Sequence, residues 1–140
     1  MRLALINTTT NRRIATHVDI AQTRRARRRG LLGRRYMEIG SALVLVPCWA
    51  VHTAFMALSI DLIFVDRDGR AIHVVQAMRP WRAAVSIRAQ AVIELPAGTL
   101  LGGAVRIGDR VCIVPADTPH QHDIGADTGP GGRWLGMQAC

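Results

Sequence analysis

Residues 51–66, VHTAFMALSIDLIFVD, form the most apolar run of the chain that also carries polar groups, and the fold is best approached from this run. Its second half, residues 60–65, has the β-branched and aromatic content of a strand that is buried on both faces. Residues 66–69, DRDG, supply a turn directly after that strand. We therefore expect the core, and any functional site, to be built around this strand with its Asp61 and around His52, which precedes it.

The other apolar segments extend this strand into a mainly β domain. Residues 71–77 follow the turn and are expected to pair with residues 60–65 as an antiparallel hairpin. Residues 21–29 are rich in helix formers and end at Gly30, which predicts one short helix. Further strands are predicted at residues 3–6, 14–20, 41–46, 89–95 and 111–114. The expected fold class is mainly β, on the border of α+β, as a compact barrel-like or sandwich domain with one short helix.

Length and composition favour a single domain. A chain of 140 residues with 49% hydrophobic and 20% charged residues has globular values, so it is long enough to bury a core of its own. From residue 116 onward Asp, His, Gly, Thr and Pro dominate, and the apolar periodicity is lost. We predict one β-rich domain at residues 1–115 and a flexible C-terminal tail at residues 116–140.

The positive charge is concentrated in one segment. The formal net charge is +8, and all 18 basic residues are arginines. The segment from Arg24 to Arg35 holds seven of them, and those of the predicted helix form a basic patch of Arg24, Arg25, Arg27, Arg28 and Arg29. Such a patch is either a solvated face or a site for an acidic partner such as nucleic acid, and the solvated face is the commoner outcome. With aromatic residues at 4%, a base-stacking platform is hard to build, so nucleic-acid binding is not the favoured reading.

The cysteines and the apolar runs bear on location. The three cysteines are odd in number and widely spaced, and no Cys-x-x-Cys pair occurs, so neither a zinc site nor a disulfide framework is expected. The longest near-apolar stretch, residues 41–65, contains Pro47, His52 and Asp61, which argues against a membrane span. We predict a soluble protein of the cytoplasm.

Asp61 is the first candidate site residue, because an isolated carboxyl group in an apolar strand must be paired, hydrogen-bonded or protonated. Arg34 is the expected partner, and a structural ion pair between the two is the favoured interpretation. The functional alternative places His52, Asp61 and Arg34 around a pocket, with His52 as an acid or base or with all three binding a small anionic ligand.

Two more residues could join that pocket. Glu94 precedes a Pro-Ala-Gly turn, where a role in capping the turn is favoured over a role in the pocket. Trp81 either covers an edge of the core or lines a ligand cleft. The sequence contains no glycine-rich phosphate loop, nucleophile elbow or zinc helix, so no cofactor and no metal site are expected. Two histidines near residue 120 are interpreted as polar tail residues rather than metal ligands.

Five segments taken in order resemble the small prokaryotic family called domain of unknown function 192. They are RGLLGR at 29–34, IDLIFVD at 60–66 with the turn at 68–69, Pro80, ELPAG at 94–98 and IGD at 107–109. The family typically has Gly-Leu-Met-x-Arg, and Leu32 takes the Met position here. Many members carry Trp-Met-x-Asn-Thr before the strand aspartate, whereas HTAFM at 52–56 is similar to a His-Thr-x-x-Met version.

The resemblance implies a compact, mainly β domain with one short helix and no established activity. It singles out as motif positions, without making them catalytic, Arg34, Asp61, Glu94, Gly98 and Asp109.

The sequence thus predicts a small-ligand-binding or accessory module, with an unidentified small molecule or protein as partner. Its pocket is expected to hold Arg34, His52, Asp61, Trp81 and Glu94. Two alternatives stay open. One is an enzyme that uses a His52/Asp61 acid–base pair, and the other is binding of nucleic acid or an acidic partner through the Arg24 to Arg35 segment.

Overall fold

The computed structural model describes residues 2–117, which form a mainly β fold with one short helix, as the sequence predicted. Within this range no helix is long and apolar enough to cross a membrane. The predicted tail at residues 116–140, including the two histidines near residue 120, lies almost wholly outside the described residues. In chain order the elements are β1 Leu3–Asn7, β2 Arg12–Ala15, β3 His17–Ala21, α1 Arg24–Arg29, β4 Ser41–Leu45, β5 Ala50–His52, β6 Ile60–Val65, β7 Ala71–Met78, β8 Ala83–Val85, β9 Ala91–Pro96 and β10 Val111–Pro115.

A five-stranded sheet in the order β3-β4-β9-β6-β7 is the centre of the molecule. Strands β6 and β9 lie in its interior and are buried along their whole length, which explains their continuous apolar sequences. A three-stranded sheet, β10-β1-β2, and a two-stranded sheet, β5-β8, complete the fold. The central sheet ends at β3 and β7, so it is open rather than closed into a barrel.

The first core lies between the three-stranded and the five-stranded sheets. Leu5 and Val111 of the smaller sheet pack in one cluster with Val44, Ile63 and Ile93 of the larger one, and all five side chains are fully buried. Two sheets that enclose one apolar layer make a β-sandwich, so of the two expected arrangements this half of the molecule adopts the sandwich.

The second core lies on the opposite face of the five-stranded sheet. Leu45, Leu62 and Phe64 of that sheet pack there with Leu31, from the loop after α1, and with Met56, from the loop after β5. Helix α1 buries none of its own residues and begins at Thr23, whose hydroxyl accepts a hydrogen bond from the Ala26 amide. The helix and the loops therefore cover this face only partly, and the candidate site lies in the space they leave.

The predicted hairpin of residues 60–65 and 71–77 is confirmed as β6 and β7, but the single strand predicted at residues 14–20 is wrong. The chain changes sheets at Thr16: β2 pairs with β1 in the smaller sheet, and β3 pairs in parallel with β4 in the larger one. The amides of Thr16 and His17 both donate to the Gly40 carbonyl at this point. Ile14 and Val18 nevertheless pack in the same first core, so the apolar alternation continues across the break and gives no sign of it.

Asp61 holds the centre of the fold in place through backbone hydrogen bonds. Its Oδ1 accepts from the Ala77 amide at 2.7 Å, and its Oδ2 accepts from the Leu100 amide at 2.8 Å. Strand β7 shifts register opposite Asp61, and Ala77 has a positive φ of 49° there, which is uncommon for a residue with a side chain. The Asp61 carboxyl group thus connects two features to strand β6: the irregular point of β7 and the turn after β9.

The expected ion pair between Arg34 and Asp61 was wrong, because backbone amides take the place of the guanidinium. Asp61 is fully buried, whereas Arg34 is exposed and forms no salt bridge with it. Two amide donors satisfy a buried carboxyl group without bringing a second charged group into the core.

Replacing Asp61 with Ala is therefore expected to lower the free energy of unfolding by roughly 3–5 kcal/mol, since one buried and one partly buried amide lose their acceptor. Denaturant unfolding of the variant measures this change. Asp19→Ala, which removes an exposed carboxyl group from β3, is the control and should change the stability by less than about 0.5 kcal/mol. A loss for Asp61→Ala no larger than that of the control would contradict the role given to these two hydrogen bonds.

Candidate ligand cavity

A cavity of about 310 Å³ opens beside the second core, between α1 and the five-stranded sheet. This volume is at the lower end of the range typical of small-molecule sites. Its wall is basic on the helix side, apolar along the sheet and the loop after β5, and acidic at one point. The residues that line it are Arg24, Arg27, Arg28, Arg29, Gly30, Leu31, Leu32, Leu45, Cys48, Ala50, Val51, His52, Ala54, Phe55, Met56 and Glu94.

Glu94 is the acidic residue of the cavity, and its strand explains why it points there. It lies in the middle of β9, paired with Leu43 of β4 on one side and Leu62 of β6 on the other. Residues directly opposite each other share a face of the sheet, so Glu94 projects on the face that carries Leu43 and Leu62. These leucines belong to the second core, and the carboxyl group consequently enters an apolar environment.

The environment of Glu94 favours its neutral form. The residue is only 3% exposed, and its Oε2 atom has no hydrogen-bond partner. Burial raises the pKa of Glu94 to about 7, and the positive charge of Arg34 opposes this rise. A buried carboxyl oxygen without a partner is rare in folded proteins and is a recognised property of sites that bind or react.

Cys48 lies beside Glu94 in the cavity. Its Sγ donates a hydrogen bond to the Ala50 carbonyl at 3.2 Å. Burial raises the pKa of the Cys48 thiol, Glu94 adds to the rise, and Arg27 opposes it. The side chains of Cys48, Glu94 and Arg27 are therefore close enough to interact electrostatically. A thiol that is held protonated is a poor nucleophile, so Cys48 acts here as a small, weakly polar part of the wall.

Helix α1 supplies the basic side of the cavity. Arg24, Arg27, Arg28 and Arg29 line it, whereas Arg25 does not. The first turn of the helix contains no acidic residue, and none of these arginines forms a salt bridge with an acidic side chain among residues 2–117. Four positive charges thus surround one region without compensation from described acidic side chains.

The mouth of the cavity, where the lining residues are exposed, is formed by the end of β5 and the segment after it. His52 and Phe55 line it, and the ring of Trp81 packs edge to face on that of Phe55, with the ring centroids 4.7 Å apart. Thr53 between them is fully buried and anchors the segment. Its hydroxyl donates to the Arg79 carbonyl at 2.7 Å and accepts from the Arg82 amide at 2.9 Å.

Of the five residues predicted for the pocket, His52 and Glu94 line the cavity. Arg34 acts on Glu94 only through its charge, and Trp81 contacts the mouth without lining the cavity. Asp61 is separated from them, because it pairs with Leu95 while its neighbour Leu62 pairs with Glu94, and adjacent strand residues face opposite sides of a sheet. The two carboxyl groups therefore lie on opposite faces.

Other lining residues were not foreseen. Cys48, Phe55 and Met56 all line the cavity, but none of them was among the residues predicted for the pocket. One signal was present in the sequence of β9: Val92 and Glu94 are two residues apart, so an acidic side chain shares a face with a buried apolar one. The basic patch was predicted as a surface, and four of its five arginines belong to the cavity wall.

The fold and this cavity describe a small open-sheet β domain with a basic, partly apolar pocket. The chain belongs to the DUF192 family, described as "Uncharacterized ACR", whose model matches residues 5–113. This confirms the resemblance found in the sequence.

The comparisons with individual proteins agree with that family. A UPF0127 protein of Pyrococcus abyssi is 40% identical over 62 residues, which are 44% of this chain and 52% of the relative, so the match spans about half of that relative's length. A protein of unknown function from Novosphingobium aromaticivorans has a TM-score of 0.67 at 19% identity, over 78% of this chain and 81% of that one. A Sinorhizobium meliloti protein described as a candidate transcription regulator has a TM-score of 0.66 at 25% identity, over 79% and 90%.

The raised pKa of Glu94 makes a prediction about stability. Its folded-state value of about 7 lies above the ordinary value of 4.5, so the stability this group contributes is complete below pH 4.5 and is lost as the pH rises through 7. The Glu94→Gln side chain stays neutral at every pH. Above about pH 8 the free energy of unfolding of this variant should therefore exceed that of the parent by roughly 3 kcal/mol. The two proteins should converge near about pH 4.5.

Denaturant unfolding across this pH range, with Glu38→Gln as the control at an exposed glutamate, measures the difference. A constant difference between Glu94→Gln and the parent at every pH would show that Glu94 has an ordinary pKa.

Proposed function

We propose that this domain is a small-ligand-binding module whose cavity takes a small molecule with an anionic group. The observation that carries the proposal is the position of Glu94, a buried carboxyl group with an unpartnered oxygen, in a cavity that four arginines line. Buried polar atoms in folded proteins nearly always have a partner. A ligand that supplies this partner and an anion for the arginines would satisfy both features at once.

The arginines favour an anion over a neutral ligand. A guanidinium group offers up to five donors in a planar arrangement that matches the oxygens of carboxylate or phosphate groups. The mutual repulsion of these guanidinium groups is reduced when an anion lies among them. The apolar wall of Leu45, Val51 and Met56 provides room for a hydrocarbon part of the ligand next to that anion.

Neutral Glu94 suits an anionic ligand as well. When protonated, its carboxyl group donates a hydrogen bond that a carboxylate or phosphate oxygen can accept. When ionised, the same group repels the anion. Binding is then coupled to the uptake of a proton by Glu94, in line with its raised pKa.

The other functional interpretations receive less support. An enzyme with a His52/Asp61 pair would need Asp61 within reach of the cavity. Asp61 lies on the other face of the sheet, where both of its carboxyl oxygens accept hydrogen bonds from backbone amides. Binding of nucleic acid through the Arg24 to Arg35 segment stays an alternative. The description of the Sinorhizobium protein and the exposed positions of Arg24, Arg25, Arg28 and Arg29 favour it, although four arginines of the segment line the cavity.

Domain extent and location also stay predictions. We keep a single domain at residues 1–115, since the described core uses strands from β1 to β10. The cytoplasm stays a prediction from the cysteine pattern, which favours a reducing compartment, and Cys48 is a free thiol.

Cyclohexanecarboxylate is expected to bind the parent protein at about pH 6, and the neutral cyclohexanecarboxamide is expected to bind at least tenfold more weakly. Arg27→Gln should weaken the binding of the carboxylate about tenfold, because it removes a charged donor from the cavity wall. Chemical shift titrations by NMR measure both affinities. Arg25→Gln is the matched control, since it removes the same charge from the same helix outside the cavity wall.

If Arg27→Gln and Arg25→Gln weaken the binding of the carboxylate equally, only the net charge of the helix matters for binding. This result would contradict a binding site in the cavity. If no small anion binds, while short oligonucleotides bind in a manner that weakens with salt and with Arg25→Gln, the nucleic-acid interpretation replaces this one.

The affinity for the carboxylate should fall about tenfold between about pH 6 and about pH 8, because the bound anion favours protonated Glu94. Cys48, His52 and the arginines of α1 with Arg34 are the other titratable or charged groups of this region, while β4 and β6 present leucines. Glu94→Gln should bind with an affinity nearly independent of pH, and His52→Gln should keep most of the pH dependence. The reverse pattern would assign the proton to His52 and contradict the role of Glu94.

A further inference from the structure

Two aromatic residues at the mouth of the cavity have an unusual backbone. Phe55 and Trp81 both have a positive φ, of 63° and 60°. Non-glycine residues seldom adopt this conformation, which is unfavourable by roughly 1–2 kcal/mol for each residue, and it concentrates at ligand sites. Glycine would allow the same chain direction without this cost, so chain direction alone does not account for two aromatic residues in contact at these positions.

The hydrogen bonds of Thr53 hold both residues in this conformation. The Thr53 carbonyl accepts from the Trp81 amide at 3.0 Å and from the Met56 amide at 3.2 Å, and the Thr53 amide donates to the Arg82 carbonyl at 2.8 Å. With the two hydroxyl bonds to residues 79 and 82, one buried side chain ties the segment of Phe55 to that of Trp81. The aromatic pair is thus positioned before any ligand arrives.

The pair is nevertheless exposed. Phe55 is 73% and Trp81 is 61% exposed, so neither ring contributes much to the core. Phe55 belongs to the cavity lining, and Trp81 packs on it edge to face with an interplanar angle of 61°. Large exposed rings that the backbone holds beside a cavity offer apolar and π surface to whatever enters.

We propose that the ligand carries a flat ring next to its anionic group, which makes it an aromatic carboxylic acid or a similar planar anion. The inference rests on the proposed function, because it assigns the anion to the arginines and Glu94. The Phe55 and Trp81 rings then contact the flat part, edge or face, at the mouth. The cavity volume of about 310 Å³ favours a small molecule over a segment of a protein.

Benzoate and cyclohexanecarboxylate provide the test, since they have the same charge and nearly the same size but differ in planarity and aromatic character. The parent protein should bind benzoate three- to tenfold more tightly, in line with the strength of aromatic pair contacts. Binding is measured by NMR titration and by the change in tryptophan fluorescence.

Phe55→Leu and Trp81→Leu should each remove this preference, so that the ratio of the benzoate affinity to the cyclohexanecarboxylate affinity falls to about one. Trp49→Leu is the matched control, because Trp49 is also exposed and does not line the cavity or contact Phe55. It should keep the preference for benzoate.

The possible failures are distinguishable. If neither acid binds, the proposed function is refuted, and so is this inference, which depends on it. If both bind equally well to the parent, or if the preference survives in both Phe55→Leu and Trp81→Leu, the anion site stands and the aromatic recognition is refuted. Thermal unfolding of each variant at the same pH identifies any change that comes from loss of the fold.

Discussion

The two hydrogen bonds that Asp61 accepts connect the parts of the fold that do not follow from regular sheet geometry. One carboxyl group holds the Ala77 amide of β7, where the register shifts, and the Leu100 amide in the turn after β9. Strand β6 lies between β7 and β9, so this contact fixes the shape of the sheet at its most buried strand. The position of β9, and with it that of Glu94, depends on this arrangement.

The carboxyl groups of Asp61 and Glu94 lie on neighbouring strands but differ in their hydrogen bonds. Asp61 faces the first core, where backbone amides satisfy it, and Glu94 faces the second, where its Oε2 has no partner. Burial without hydrogen bonds destabilises the folded state when the group is ionised, whereas the same burial with two amide donors does not. The difference between the two carboxyl groups is therefore in their hydrogen-bond partners, and the proposed ligand would supply the partner that Glu94 does not have.

The sequence was sufficient for the parts of the fold that depend on local pattern. The β6–β7 hairpin follows from two apolar runs and the turn at 66–69, and α1 follows from its helix formers and Gly30. The break at Thr16 could not be predicted, since its cause is pairing with two different sheets. The short strands β5 and β8 were missed as well, because three residues carry too little pattern and their pairing is non-local.

For the candidate site the same distinction applies. Residue type identified Asp61, Glu94 and His52 as polar groups in apolar surroundings, but only strand register decides which of them share a face. Arg34 was assigned to the wrong carboxyl group because charge complementarity, taken alone, ignores backbone amides as partners. The strained backbone of Phe55 and Trp81 has no sequence signal at all, since neither residue type indicates a positive φ.

The arginine helix, α1, has few contacts that stabilise it. It has six residues and fully buries none of them, although Ala26 packs on the second core. Thr23 and Gly30 cap its two ends, and the basic side chains of its last turn are favourable there. Isolated helices of this length are not stable, and four nearby positive charges oppose its packing against the sheet. An anion in the cavity would attract these four arginine side chains. This attraction would offset their mutual repulsion and favour the packing of α1 against the sheet. Under the proposed function, ligand binding and the docking of α1 are therefore linked, because an anion that binds only the docked helix stabilises that arrangement.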